Sequence, residues 1–475
     1  MGMIKMRIKV VFFGAGRFLD HVMLKKEFIT STDCLWICDN NLDMEGTSRY
    51  GLKVYGPESL KNNVYDYVVI TSIYAYDIKL QLKDLGVDYK KIKTYEEYMG
   101  LCFKGKYKKY RKKMNDERKD VVASVLLITT YLSFSGGSWA AVYALMALKN
   151  NGFQVYLAAP GGDENFVCVL NERGIDVWLY RNIMFESFEE MPWLPDVDHV
   201  IINTYQMNHC LKNLNFKKKV IWWIHEAMNY YDDNIRMYGS LSYKDICCAN
   251  IYAVSQFARK SFLSYYPKSE VGILEYGIPD ENIKYKPIKA EHSRIIFAMV
   301  GTICPRKGQD IFIRAIAILP QNIRAQCDFW IVGDIDDELF NEKIRMQGAE
   351  ISNLHFQKGM DHNALLNFYN EVDIIVSASR QDPLPIVITE GLMLGKLCII
   401  SDGIGTMNYV NSQEVMSFQS ENAEDLASKI EFVVNNRVIL KYISPIARYA
   451  YERNFSLNAF ADKMLVAMEK TSEML

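Results

Sequence analysis

Short runs of β-branched and aromatic residues alternate with longer stretches of helical period from one end of this chain to the other. That alternation admits little besides parallel α/β layers. The pattern restarts twice. The first block predicts strand Ile8–Phe13, a glycine turn, a helix, strands at 35–38 and Tyr67–Ile70 and a helix ending near Leu85. The second predicts a strand at 121–128, a serine-glycine turn, a helix over 138–149 and strands at 154–158, 199–202, 220–224 and 251–254. The third predicts strands at Ile295–Val300, 329–332, Ile374–Ser377 and 397–400 with helices at 311–319, 364–369 and 388–394 between them. At 475 residues, a prior of about three domains agrees with three such blocks. The expected division is a small Rossmann-like domain at 1–103, a basic linker at 104–120, a Rossmann domain at 121–287 and a second at 288–455. A C-terminal helix at 456–475 rejoins the first of that pair.

Lys and Arg total 55 against 57 for Asp and Glu, so no global basic field draws the chain to nucleic acid. Local charge is another matter. From Lys104 to Lys119 nine basic residues crowd together with Tyr107 and Tyr110 interleaved, a solvated linker or a contact for an anionic membrane surface. The apolar run Val10 to Phe13 is too short for a signal-peptide core, and no window approaches the roughly 18 to 20 apolar residues of a membrane span. Neither Cys34 with Cys38 nor Cys247 with Cys248 has zinc-site spacing, and Cys247-Cys248 reads as two core thiols. Scattered reduced cysteines favour the cytoplasm.

The richest stretch is Ser377-Ala-Ser-Arg-Gln-Asp382-Pro-Leu-Pro-Ile-Val-Ile-Thr-Glu390-Gly-Leu-Met-Leu-Gly395-Lys. A strand ending at Ser377 and a helix beginning near Pro385 put Asp382 at the C-terminal edge of a parallel sheet, where ligands of open α/β sheets bind. Carboxylates eight residues apart across such a turn can serve one cleft, with helix N-terminal amides facing phosphate. A second strand-to-helix turn, Val300-Gly-Thr302-Ile-Cys-Pro-Arg306-Lys307-Gly308, supplies cations. A third, Ser133-Phe-Ser-Gly136-Gly137-Ser138, supplies glycines where backbone can approach a ligand closely.

Together these motifs resemble the retaining glycosyltransferases of the GT-B fold, family four (glycosyl transferases group 1), over about residues 121–475. Asp382 and Glu390 resemble the family's E-x7-E pair, with Asp in place of the first Glu. The resemblance implies two Rossmann-like domains facing a cleft, preceded here by a small extra one. It also implies a sugar transferred with retention from a nucleoside diphosphate donor to a glycan or lipid-linked acceptor. Lys307 then resembles the diphosphate lysine, with Thr302 standing where the family has Arg and Arg306 as the substitute. His225, ending the run Ile221-Trp-Trp-Ile-His-Glu, matches the histidine that contacts the transferred sugar. Asp382 and His225 would orient that sugar, Glu390 would hold the ribose, and Gly136, Gly137, Leu384, Ile386 and Val387 would complete the cradle. Pro385 has no amide hydrogen to donate. The expected site needs no cofactor and no metal, and a uridine donor is favoured over a guanosine donor. Asp334-Ile-Asp336 is a D-x-D pattern read as a polar turn. The expected setting is polysaccharide or surface-glycan assembly, in the cytoplasm or at the inner face of the membrane.

Gly14-Ala-Gly16, with Asp39 some twenty residues on, is a partial dinucleotide fingerprint. Its block resembles small Rossmann domains of sugar-nucleotide proteins, which makes Gly14, Gly16 and Asp39 a candidate nucleotide site. Two rival readings stay open at this point: a NAD-dependent sugar-nucleotide oxidoreductase acting from that block, and a non-catalytic nucleotide-binding scaffold.

Overall fold

The computed structural model describes residues 7–25, 32–62, 64–111, 121–213, 219–280 and 294–470. Among the described residues three separate sheets carry the fold. The first runs, edge to edge, Ser48–Arg49, Leu52–Tyr55, Thr32–Cys38, Ile8–Phe13, Tyr67–Ile70 and Ile92–Thr94. Its strands are parallel except for the short outer hairpin. Side chains alternate across the central strand: Val10 and Phe12 enter one apolar core, Val11 and Phe13 the other. A sheet covered on both faces requires that arrangement.

The second sheet runs Val271–Ile273, Asn250–Ala253, Lys219–Ile224, His199–Asn203, Ser124–Ile128, Gln154–Ala159, Asp176–Leu179 and Lys108–Tyr110. The third runs Leu354–Gln357, Cys327–Val332, Ile295–Val300, Ile374–Ser377, Leu397–Ser401 and Met416–Phe418, all parallel. Strands Ile374–Ser377 and Leu397–Ser401 are buried at every position, the continuous apolar reading expected of a parallel sheet sealed by helices. Helix Leu457–Lys470 leaves the third domain and packs on helix Gly136–Asn150 of the second. There Phe460 stacks on Trp223 with ring centroids 5.6 Å apart. No helix among the described residues is long and apolar enough to cross a membrane.

The basic run corrects its expectation as a linker. Lys108–Tyr110 pairs antiparallel with Asp176–Leu179 as the outermost strand of the second sheet. Tyr107 stacks on Trp193 at 4.2 Å between centroids, and Lys109 lies over the Trp178 ring at 4.8 Å. The charges have acidic partners: Lys104 lies 3.3 Å from Glu186, Lys108 3.4 Å from Glu164 and Arg111 2.9 Å from Asp176. Basic side chains on a sheet edge are a usual guard against further strand pairing. Residues 112–120, the rest of the run, lie outside the described residues. So do residues 281–293, which include the expected boundary at 287/288.

Cys247 and Cys248 are not core thiols either. They follow the short helix Tyr243–Ile246 on a surface turn, Cys247 exposed and Cys248 half-buried. All ten cysteines are unpaired.

Candidate functional site

Both larger sheets reverse strand order once, between Ser124–Ile128 and His199–Asn203 in the second and between Ile295–Val300 and Ile374–Ser377 in the third. Loops diverge at such a switch point and leave a crevice beyond the carboxyl ends of the strands. The two crevices face each other across one cleft of about 510 Å³. It is lined from the second domain by residues such as Gly136, Gly137, His225 and Tyr230, and from the third by Thr302, Arg306, Lys307, Asp382, Leu384 and Ile386.

The third domain supplies charge. Strand Ile295–Val300 ends at Gly301 and passes through the turn Pro305–Lys307 into helix Gln309–Ile318. Gly308 joins them at φ 77°, with Ala378 O only 2.0 Å from where a Cβ would stand. No side chain fits there. Lys307 Nζ reaches Asp382 Oδ2 at 2.5 Å and Arg306 lies 3.6 Å from the same oxygen, so both expected cations meet the expected carboxylate.

Two helix N-termini converge on the cleft. Helix Gly136–Asn150 starts behind Ser135, whose hydroxyl accepts from the Ser138 amide. Helix Ile386–Met393 starts behind Pro385. A Cβ on Gly136 would lie 3.5 Å from Ile386 Cγ2, so the two helix starts face each other closely. Their first-turn amides have no intrahelical partner and carry partial positive charge, an arrangement suited to an anion.

His225 leaves the end of strand Lys219–Ile224 and sits between Trp223, at 4.5 Å edge-on, and Tyr276, at 6.3 Å nearly parallel. Its Nε2 is buried without a hydrogen-bond partner among the described residues. Loss of solvent pushes its pKa down to about 3, so the ring is neutral at ordinary pH and acts as a hydrogen-bonding group rather than a cation. Next to it Glu226 is buried and accepts from the amides of Tyr205 at 2.7 Å and His225 at 2.9 Å. Burial raises its pKa although those bonds oppose the shift.

The sequence reading missed three cleft features. Glu226 carried a signal, an acid at a strand end beside the histidine. Thr204, at φ 83°, is a β-branched residue in strained backbone, which a sequence does not announce. Tyr276 donates its hydroxyl to Leu384 O across the domain boundary; with Tyr409 donating to Val254 O at 2.7 Å, it ties the cleft walls together.

Glu390 is as buried as Asp382, 5% against 6% exposed, and its Oε2 accepts from Tyr369 at 3.0 Å. Helix entry at Pro385 points Ile386 and Val387 into the cleft and leaves Glu390 one turn deeper. In the first domain a pocket of about 330 Å³ includes Gly14 and Asp39 but not Gly16. Asp39 accepts from Ala15 N in the glycine turn at 2.6 Å with one oxygen and from Asn41 N in its own loop at 2.8 Å with the other. Gly14, at φ 115°, brings its backbone against Thr71, whose carbonyl lies 2.8 Å from a would-be Cβ. Asp77 also lines this pocket, and no Lys or Arg does among the described residues. Asp334 stands against Gly359 on the main cleft wall. Among the described residues no three acids, histidines or cysteines are grouped to hold a metal ion.

Comparison with known proteins gives the following. Residues 280–453 match glycosyl transferases group 1, and residues 6–93 match a family described as C2185-like, N-terminal. No curated protein matches the sequence. Among solved structures the chain is similar to HepE of Anabaena in complex with UDP and glucose, at 14% identity and a TM-score of 0.60, over 73% of this chain and 100% of that one. It is similar to a glycosyltransferase from Rickettsia africae at 20% identity and a TM-score of 0.59, over 74% and 99%. Sucrose-phosphate synthase from Thermosynechococcus elongatus follows at 16% and 0.59, over 74% and 100%. The fold is GT-B, with the small N-terminal Rossmann-like domain added.

Proposed function

We propose that this chain is a retaining glycosyltransferase, moving a sugar from a nucleoside diphosphate donor to a glycan or lipid-linked acceptor in polysaccharide or surface-glycan assembly. The observation that carries the reading is the meeting of Lys307, Arg306 and Asp382 opposite two converging helix N-termini in one cleft. Fixed cations and oriented amides favour the charge that develops on a departing diphosphate. The match of residues 280–453 to glycosyl transferases group 1 supports it. HepE, which was solved with UDP, supports a uridine donor.

In this mechanism the bond from the anomeric carbon to the diphosphate oxygen breaks, its electron pair leaving with the diphosphate. The acceptor hydroxyl oxygen bonds to the same face of that carbon, and its proton passes to the departing phosphate oxygen. No side chain need be a strong base. Asp382 and neutral His225 hold sugar hydroxyls, Lys307 and Arg306 neutralise the diphosphate without a metal ion, and the amides of Ile386 and Val387 complete its cradle. Glu390, bonded to Tyr369 behind the helix start, holds the ribose. The ten unpaired cysteines favour a cytoplasmic setting.

Calorimetric titration of uridine and guanosine diphosphates in chelator, followed by the anomeric configuration of the product from the matching donor sugar, tests this. Micromolar binding without metal, lost in Lys307→Ala, and a retained anomer are expected. Binding of neither diphosphate would sink the transferase reading, and binding without hydrolysis or transfer would make the protein a nucleotide-binding scaffold.

A further inference from the structure

Arg380 lies outside the cleft lining, yet its guanidinium is the most heavily bonded in this part of the molecule. It donates to both oxygens of Asp310, at 2.9 and 2.8 Å, and to both oxygens of Glu421. One of the same nitrogens also donates to Pro305 O. Its backbone amide adds a bond to Arg306 O at 2.9 Å, and Arg306 returns one to Gln381 O at 3.1 Å. Asp310 is 8% exposed, in the first turn of helix Gln309–Ile318. Glu421 meets the clamp from left-handed backbone at φ 66°, a conformation that a glutamate adopts only when its surroundings hold it there.

We propose that Arg380 is a positioning residue that sets where Lys307 and Arg306 present their charges. The inference rests on the reading that the cleft takes a nucleoside diphosphate. The turn Pro305–Lys307 is three residues long, and such a turn has little stiffness of its own. Arg380 grips it at two consecutive carbonyls, Pro305 and Arg306, and anchors it to the following helix through Asp310. One guanidinium between the two carboxylates of Asp310 and Glu421 leaves the clamp net negative, so it attracts no anion itself. What it gives an anion is the position of the lysine. Lysine cannot substitute fully: the planar fork serves three separate acceptors at once, which one ammonium cannot reproduce.

The test compares Arg380→Gln, Arg380→Lys and Glu421→Gln with the parent, titrating uridine and guanosine diphosphates alongside uridine and guanosine. Arg380→Gln should weaken the bound diphosphate at least ten-fold and leave its nucleoside within two-fold. Arg380→Lys should recover part of the loss, and Glu421→Gln, at the exposed end of the clamp, should cost about three-fold. Equal weakening of diphosphate and nucleoside, or of neither, overturns the proposal. Amide hydrogen exchange at Lys307 and Gly308, which bond to Cys304 O and Pro305 O, reads the clamp without ligand. Faster exchange in Arg380→Gln with no diphosphate bound by the parent would mean the clamp exists but the transferase reading has failed. Unchanged exchange overturns the clamp whatever the parent binds.

Discussion

Lys307 and Asp382 meet at 2.5 Å in a corner that is largely closed to solvent, so an incoming diphosphate competes with a carboxylate for its cation. The competition gives two substitutions opposite signs. Lys307→Ala should weaken nucleoside diphosphate binding about 30-fold, or about 2 kcal/mol, the usual scale for a charge-assisted contact. Asp382→Asn should leave that affinity equal or tighter while transfer falls by about two orders of magnitude, the scale of a lost transition-state contact. Parallel weakening by both variants, read by calorimetry, would refute the arrangement. Glu390→Ala, which removes the carboxyl assigned to the ribose, should weaken the diphosphate and its nucleoside alike by about ten-fold. The histidines set a pH window. His225 is held down at about 3 and His209 at about 4, in each case first by burial, whereas unfolded histidine titrates near 6.5. Between those values the unfolded chain binds more protons, so stability is complete above about pH 6.5 and is lost as pH falls. From pH 7 to pH 5 each should contribute up to about 2 kcal/mol of destabilisation. Urea midpoints at the two pH values should converge partly in His209→Gln; an unchanged gap would exclude that residue.

Turns and edges carry the element-scale lessons. Gly308→Ala forces a Cβ against Ala378 O from left-handed backbone, a cost of about 2 to 3 kcal/mol in chemical denaturation, with diphosphate affinity falling alongside because Lys307 is its neighbour. A drop in stability with affinity intact would show that the lysine reaches its place independently of the turn. Central strands were legible in the sequence because burial on both faces writes them as unbroken apolar runs, as at Ile374–Ser377. Lys108–Tyr110 was not: three residues, two of them lysines, become a strand only because Asp176–Leu179 offers an unpaired edge. Spacing placed Glu390 on a helix beyond Asp382, but not how deep in the wall that helix would carry it. Arg380 was equally hidden, since its partners Asp310 and Glu421 lie 70 and 41 residues away in sequence.

At the scale of the molecule the three-block organisation and the cleft could be read from the motif order, while the join between the first and second blocks could not. Gly100 packs against Asn182, Tyr76 against Gly239, and the edge strand at 108–110 completes the second sheet. A chain starting at residue 121 should therefore unfold at lower temperature and aggregate more than one starting at residue 104. Size-exclusion chromatography with thermal melts decides it, and equal behaviour would mean that the edge strand is dispensable. The larger pair of domains is joined differently. The chain passes between them near Ile278 and returns at Phe455, and there the Ile278 amide donates to Phe455 O at 2.9 Å while Tyr451 donates its hydroxyl to Ile278 O at 2.9 Å. These two bonds fasten the domains at the crossing as Tyr276 and Tyr409 fasten them at the cleft. Lys307, Arg306 and Asp382 stand on one side of that double seam and His225 and Gly136 on the other, so the spacing between the charged corner and the histidine is set by how the two domains meet rather than by either alone.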